Sequence, residues 1–221
     1  MKTQQCTVAV PASTWFYDLL PGNILYGLPF NRLPEPFALA VALALINFKE
    51  WMLPMTWLPE LAAKAGLTME KEWKTAMQAK SAEFLIRHTK LNTTLSDQQN
   101  IVPLLTRDLA KFRDKYGEEP FGVAEIDTAK LAARVMLNAK TAPFKSFDAY
   151  HAHYAKVKGL LALPETDRWP VLLTAEPDKL IEDGWARFHC YYAQGAKTIP
   201  CCMPIEVFDL SMPATYNPEM N

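Results

Sequence analysis

The stretch from Lys179 to Pro204, KLIEDGWARFHCYYAQGAKTIPCCMP, constrains this chain more than any other. Apolar extended residues run into Glu182-Asp183-Gly184. A helical pattern starts at once over residues 185–194, Gly195 stands where a C-terminal cap belongs, and an extended run returns at 198–202. Upstream, 169–174 is extended and apolar, with the residue before Pro170 biased towards β geometry. Glu-Pro-Asp within 175–178 makes a turn, and 179–181 forms a second short strand. Strand, turn, strand, helix, strand requires a helix laid on a mixed sheet, an α/β or α+β unit.

The pattern before residue 117 is different. Residues 35–53 are Ala/Leu-rich and hydrophobic nearly all round, which suits a central helix stopped by Pro54. A short helix follows over 57–65, with Gly66 at its C-cap. Thr68 caps a long helix over 69–90, where Trp73, Met77, Phe84 and Leu85 keep helical spacing. Another helix runs from a cap at Ser96 or Asp97 to Tyr116, restarted or kinked at Pro103 and ended by Gly117. The first 34 residues, rich in proline and aromatics, read as an irregular wrap. Beyond 117, residues 121–126 suggest a strand, and 128–139 and 146–161 suggest helices. The expected architecture is therefore α+β: a helical N-terminal region, 1–117, packed on a domain with a small mixed sheet, 118–221.

Composition excludes several classes. Seventeen prolines against eight glycines favour rigid breaks over flexible linkers. A net charge of −1, from 23 basic and 24 acidic residues, disfavours a globally basic nucleic-acid coat. That balance hides local asymmetry. Residues 64–115 carry ten bases and six acids, whereas 164–183 carry six acids and two bases. The basic segment is either a solvated helix face or a surface for a nucleic-acid backbone or an acidic partner. The longest apolar run, 37–46, is too short to cross a bilayer, so no membrane insertion is expected. The N-terminal MKTQQCTVAVPAST lacks the long apolar run of a signal peptide, and a cytoplasmic location is expected. Of Cys6, Cys190, Cys201 and Cys202, the adjacent pair lacks C-x-x-C spacing and reads as buried strand residues.

The chemistry concentrates at Glu182–Arg187. Gly184 permits a tight turn and close approach, and the first free N–H groups of the following helix favour an anion. Arg187 in the first turn could grip a phosphate, while Glu182 and Asp183 could hold a divalent ion or serve as a general base. The plainer alternative makes Asp183 an N-cap and Arg187 a surface residue. Trp185 or Tyr191 could stack a base, or simply be core. His151 and His153, two apart on a helix, face different ways and cannot share a metal. His189 is a packed or surface histidine unless it faces the pocket.

Asp183-Gly184-Trp185-Ala186-Arg187, a helix, and Gly195-Ala196-Lys197-Thr198-Ile199-Pro200 into a strand together resemble the ParB/sulfiredoxin superfamily. The resemblance is specific over about 169–204 and extends loosely to residue 120. It implies a nucleotide- or phosphate-binding pocket at the strand–helix junction. Gly184, Trp185 and Arg187 would be its binding residues. Glu182, Asp183 and Arg187 would be its catalytic residues, with Glu182 and Asp183 as metal ligands. The implied cofactors are a nucleoside triphosphate and magnesium. Trp185 replaces the reactive cysteine of sulfiredoxins. Trp185 and Ala186 replace the Glu-Arg of partition-type ParB proteins, and no helix-turn-helix follows. Stand-alone members remain: nucleases, nucleotide hydrolases, and the Osa-type fertility-inhibition proteins that block conjugative plasmid transfer. The expected function is a metal-dependent nuclease or nucleotide hydrolase that limits plasmid transfer. Its rivals are a non-catalytic inhibitor of a type IV secretion or transfer ATPase, and a DNA-binding regulator.

Overall fold

Sequence alternation and pairing register build the sheet. In the computed structural model, residues 10–11, 26–47, 50–51, 54–64, 101–138, 141–158, 169–174, 180–204 and 208–209 are described. The chain divides into two compact units, Met1–Phe37 with Gly117–Asn221, and Ala38–Tyr116.

The first unit holds strands β1 (Val10–Pro11), β2 (Tyr26–Pro29), β3 (Pro120–Asp127), β4 (Val171–Leu173), β5 (Ile181–Asp183), β6 (Thr198–Pro204) and β7 (Phe208–Asp209). Five of them form a mixed sheet in the order β2-β3-β6-β4-β5. Only β4 and β6 run parallel, and β1 and β7 pair separately. The expected α+β class with a small mixed sheet is therefore observed. β3 and β6 pair Ala124 with Cys201 and Ile126 with Ile199, which sets one apolar face. Helix α4 (Thr128–Val135) starts where Asp127 accepts the Lys130 amide at 2.9 Å, an N-cap. Its Leu131, Ala132 and Val135 cover that face, together with Phe147 of α5 (Phe147–Lys158) and Phe188 and Tyr191 of α6 (Trp185–Ala193). Successive strand residues face opposite ways, so Cys201 belongs to this core and Cys202 is buried on the other side. Burial raises the pKa of both thiols, so the adjacent cysteines are packing residues and inert as thiolates.

The described residues of the second unit are mainly helical. α1 (Glu35–Asn47) enters it after Phe37 and is followed by α2 (Leu58–Lys64) and α3 (Val102–Tyr116). Every residue from Ala38 to Ile46 is buried, as a helix apolar on all sides requires. Trp57 donates its indole N–H to Asp108 at 2.6 Å, and Lys111 reaches the same carboxylate at 2.8 Å. Arg107 meets Glu60 at 2.7 Å, so two of the bases in the positive segment are tied to acids.

Several sequence expectations change. The first helix ends at Asn47, six residues before Leu53. Residues 26–32 are not an irregular wrap. They supply β2 and a 3-10 turn whose Phe30 packs edge-on to Phe121 at 6.2 Å. Pro103 is the second residue of a helix, where its missing N–H costs nothing. The Gly66 cap of the short helix, the expected helix at 69–90 with its Thr68 cap, the Ser96/Asp97 cap, the turn at 175–178 and Cys6 lie outside the described residues.

Candidate functional site

The β5–α6 junction is built by unusual backbone. Leu180 has φ 57°, a left-handed conformation held by burying its side chain, and its carbonyl accepts the Thr174 amide at 3.0 Å. Leu172 pairs with Asp183 and Leu173 with Ile181, so Glu182 is the extra residue of a β-bulge. These two features place the strand at 181–183, two residues later than its sequence pattern indicates. Gly184 then sits at φ 92° and starts α6, and no side chain caps the helix. The first helical bond runs from the Phe188 amide to the Gly184 carbonyl at 2.8 Å. The amides of the first turn precede any such bond.

Arg187 fills the space that glycine leaves. A Cβ on Gly184 would lie 2.9 Å from its Nε and 3.1 Å from its Cζ. Its Nη2 donates to Asp183 Oδ2 at 2.6 Å, an i,i+4 ion pair, and its guanidinium lies 5.7 Å from the Trp169 ring centroid. Arg187 is only 8% exposed, and its Nη1 is buried with no hydrogen-bond partner among the described residues. Burial pulls its pKa down and the neighbouring Asp183 pushes it back up. Arg187 is therefore not a surface residue. Asp183 is not the N-cap, and its side chain, 41% exposed, faces the guanidinium. Tyr191, one turn on, donates to the Trp169 carbonyl at 3.0 Å and so braces the tryptophan beside Arg187.

Glu182 is half-buried at the bulge, next to Asp183 in the chain. Trp185 opens α6 half-buried and packs on the core. The junction thus brings Glu182, Asp183, Gly184, Trp185 and Arg187 into one neighbourhood, with Arg187 bonded to Asp183. Among the described residues, no group of three or more His, Cys, Asp or Glu side chains gathers as a metal cage. As ligands, two carboxylates suit magnesium, which completes its shell with phosphate oxygens and water, better than zinc.

Sequence spacing did not reveal the neighbouring aromatic cluster. His189 is fully buried, and its Nδ1 lies 2.9 Å from Nδ1 of His151. Tyr154 stacks on His189 at 3.9 Å, with the planes 12° apart. The only available signal was the helical pattern of α5 and α6, which cannot say that the two helices meet. No family model, curated protein or solved structure matches the chain. No helix of the described residues is long and apolar enough to cross a membrane.

Proposed function

We propose that this chain is a ParB/sulfiredoxin-like phosphate-handling protein with its ligand site at the β5–α6 junction. One observation carries the reading. A buried guanidinium lies against Gly184 beside an uncapped helix start, and its Nη1 has no partner among the described residues. A buried cationic donor without an acceptor is costly, and a phosphate oxygen would satisfy it. The helix amides favour the same charge.

The activity we propose is magnesium-dependent hydrolysis of a nucleotide or a nucleic acid. The bound metal would polarise the phosphoryl group and its water. Glu182 and Asp183 would hold that ion or orient the attacking water. Arg187 would neutralise charge developing on the phosphate. Asp183 accepts from Nη2 of Arg187, which leaves Nη1 for the phosphate oxygen. In the setting of the Osa-type proteins, the protein would act in the cytoplasm to limit transfer of a conjugative plasmid.

A non-catalytic inhibitor of a transfer ATPase is the second reading. It is favoured by the existing Asp183–Arg187 bond, which occupies one of the two carboxylates catalysis would use. A DNA-binding regulator is the third.

The test is a thermal shift with ATP and magnesium. The melting temperature of the wild type should rise by RT ln(1 + [L]/Kd) in free-energy terms, and that of Arg187→Ala should not. Arg187→Lys, which keeps the charge, should respond only weakly because the planar fork is lost. Equal shifts in all three proteins would sink the site. If Glu182→Gln keeps the shift and loses turnover, the enzyme reading stands. If it keeps full inhibition of plasmid transfer, the binding module stands.

A further inference from the structure

His189 is an ionisable group inside an aromatic box. Besides Tyr154, it is flanked by Phe147 at 5.5 Å, Tyr150 at 5.3 Å and Trp185 at 6.4 Å, measured between ring centroids. Its Nε2 is buried without a partner among the described residues. Its Nδ1 meets Nδ1 of His151 at 2.9 Å. A single hydrogen can lie between those two nitrogens. If both rings were protonated, two N–H groups would face each other, and the contact would break.

The groups around the pair offer little to an imidazolium. On α5 these are Tyr150 and Tyr154, whose phenols burial keeps protonated. On α6 they are the buried Cys190 and Tyr192. Tyr192 faces His151 at 5.3 Å and donates its hydroxyl to Asp148 at 2.6 Å. On β5, Asp183 acts on Tyr154 and is bonded to Arg187. The ring faces of Tyr154 and Phe147 give some cation–π attraction, which is smaller than the loss of hydration on burial.

We infer that the His151–His189 contact is a pH-sensitive latch that holds α5 onto α6. α5 is the element that would open. Among its described side chains only Phe147 is buried, whereas α6 buries every residue from Arg187 to Tyr191. Burial, and secondly the charge of His151, bring His189 from 6.5 down to about 4. A histidine with a depressed pKa takes its proton more readily when released. Its stabilisation is therefore complete above pH 6.5 and is lost as the pH falls towards 4. Between pH 7 and pH 5 the open form should gain about twenty-fold. This inference is independent of the phosphate reading.

Amide hydrogen exchange, corrected for intrinsic rates, tests it. In the wild type, protection of α5 amides should fall about twenty-fold from pH 7 to pH 5, with β3 and β6 amides unchanged. His189→Phe keeps an aromatic ring and should remove that dependence. If it does not fold, His151→Phe supplies the second arm. There the NMR titration midpoint of His189 should move up towards the free value, and the α5 response should become shallower. Wild-type α5 protection that is flat across this range would overturn the latch. So would an undiminished response in the variant that folds, or an unmoved His189 midpoint in His151→Phe.

Discussion

At the residue scale, Gly184 and Arg187 form one unit. The left-handed φ of 92° excludes most side chains from position 184, and the guanidinium occupies the place where a Cβ would project. Gly184→Ala should therefore cost about 1–3 kcal/mol, read as a lower urea midpoint at unchanged slope. A neutral result would mean that Arg187 swings aside without penalty. The spacing of Gly184 and Arg187 was legible in the sequence, and so was the strand-to-helix turn between them. The folding back of Arg187 over its own glycine was not. That depends on Trp169, and Trp169 is held by a hydrogen bond from Tyr191, 22 residues away in the chain. The sequence offered Asp183 as a cap or a metal ligand, and the structure makes it the counter-ion of a buried guanidinium.

At the scale of elements, helices were legible where apolar spacing and capping residues agreed. Residues 128–139 are helical by their sequence pattern; α4 begins at Thr128, where Asp127 holds the Lys130 amide, and ends at Val135, four residues short of that span. Asp127→Ala should destabilise by about 1 kcal/mol, with most of the lost exchange protection in the first turn of α4. Protection lost uniformly across the sheet would instead indicate a role beyond capping. Short strands were less legible. β2 is the four residues YGLP, which show no alternation, and they become a strand only by pairing with Pro120–Val123 of β3. β5 was displaced by two residues because a bulge and a left-handed leucine leave no mark in hydropathy. The meeting of α5 and α6 at His151 and His189 was equally invisible, since neither helix encodes its partner.

The whole molecule joins two units with different acid-sensitive groups. In the sheet unit, His189 loses its contribution as the pH falls from 6.5 towards 4. In the helical unit, Lys111, then Trp57, bring Asp108 from 3.8 down to about 2. A depressed carboxylate stabilises above its free value, and that stabilisation disappears as the pH falls through the folded one. Acid titration followed by residue-resolved amide exchange should therefore show two windows. α5 should open first, and α3 should loosen only below about pH 3.8. Asp108→Asn should abolish the second window and leave the first. Simultaneous loss of both regions would rule out separate origins. The near-neutral net charge gives no hint of this ordering, because it sums groups without regard to their surroundings. By itself the sequence determined the α+β class, most of the described helices and the strand–Gly–helix junction, because periodicity, caps and glycine act within a few residues along the chain. Tertiary structure alone decided that Arg187 is buried against Asp183, that β2 joins the sheet and that two histidines meet. Burial and long-range pairing depend on which distant segment fills the remaining space, and no local pattern records that.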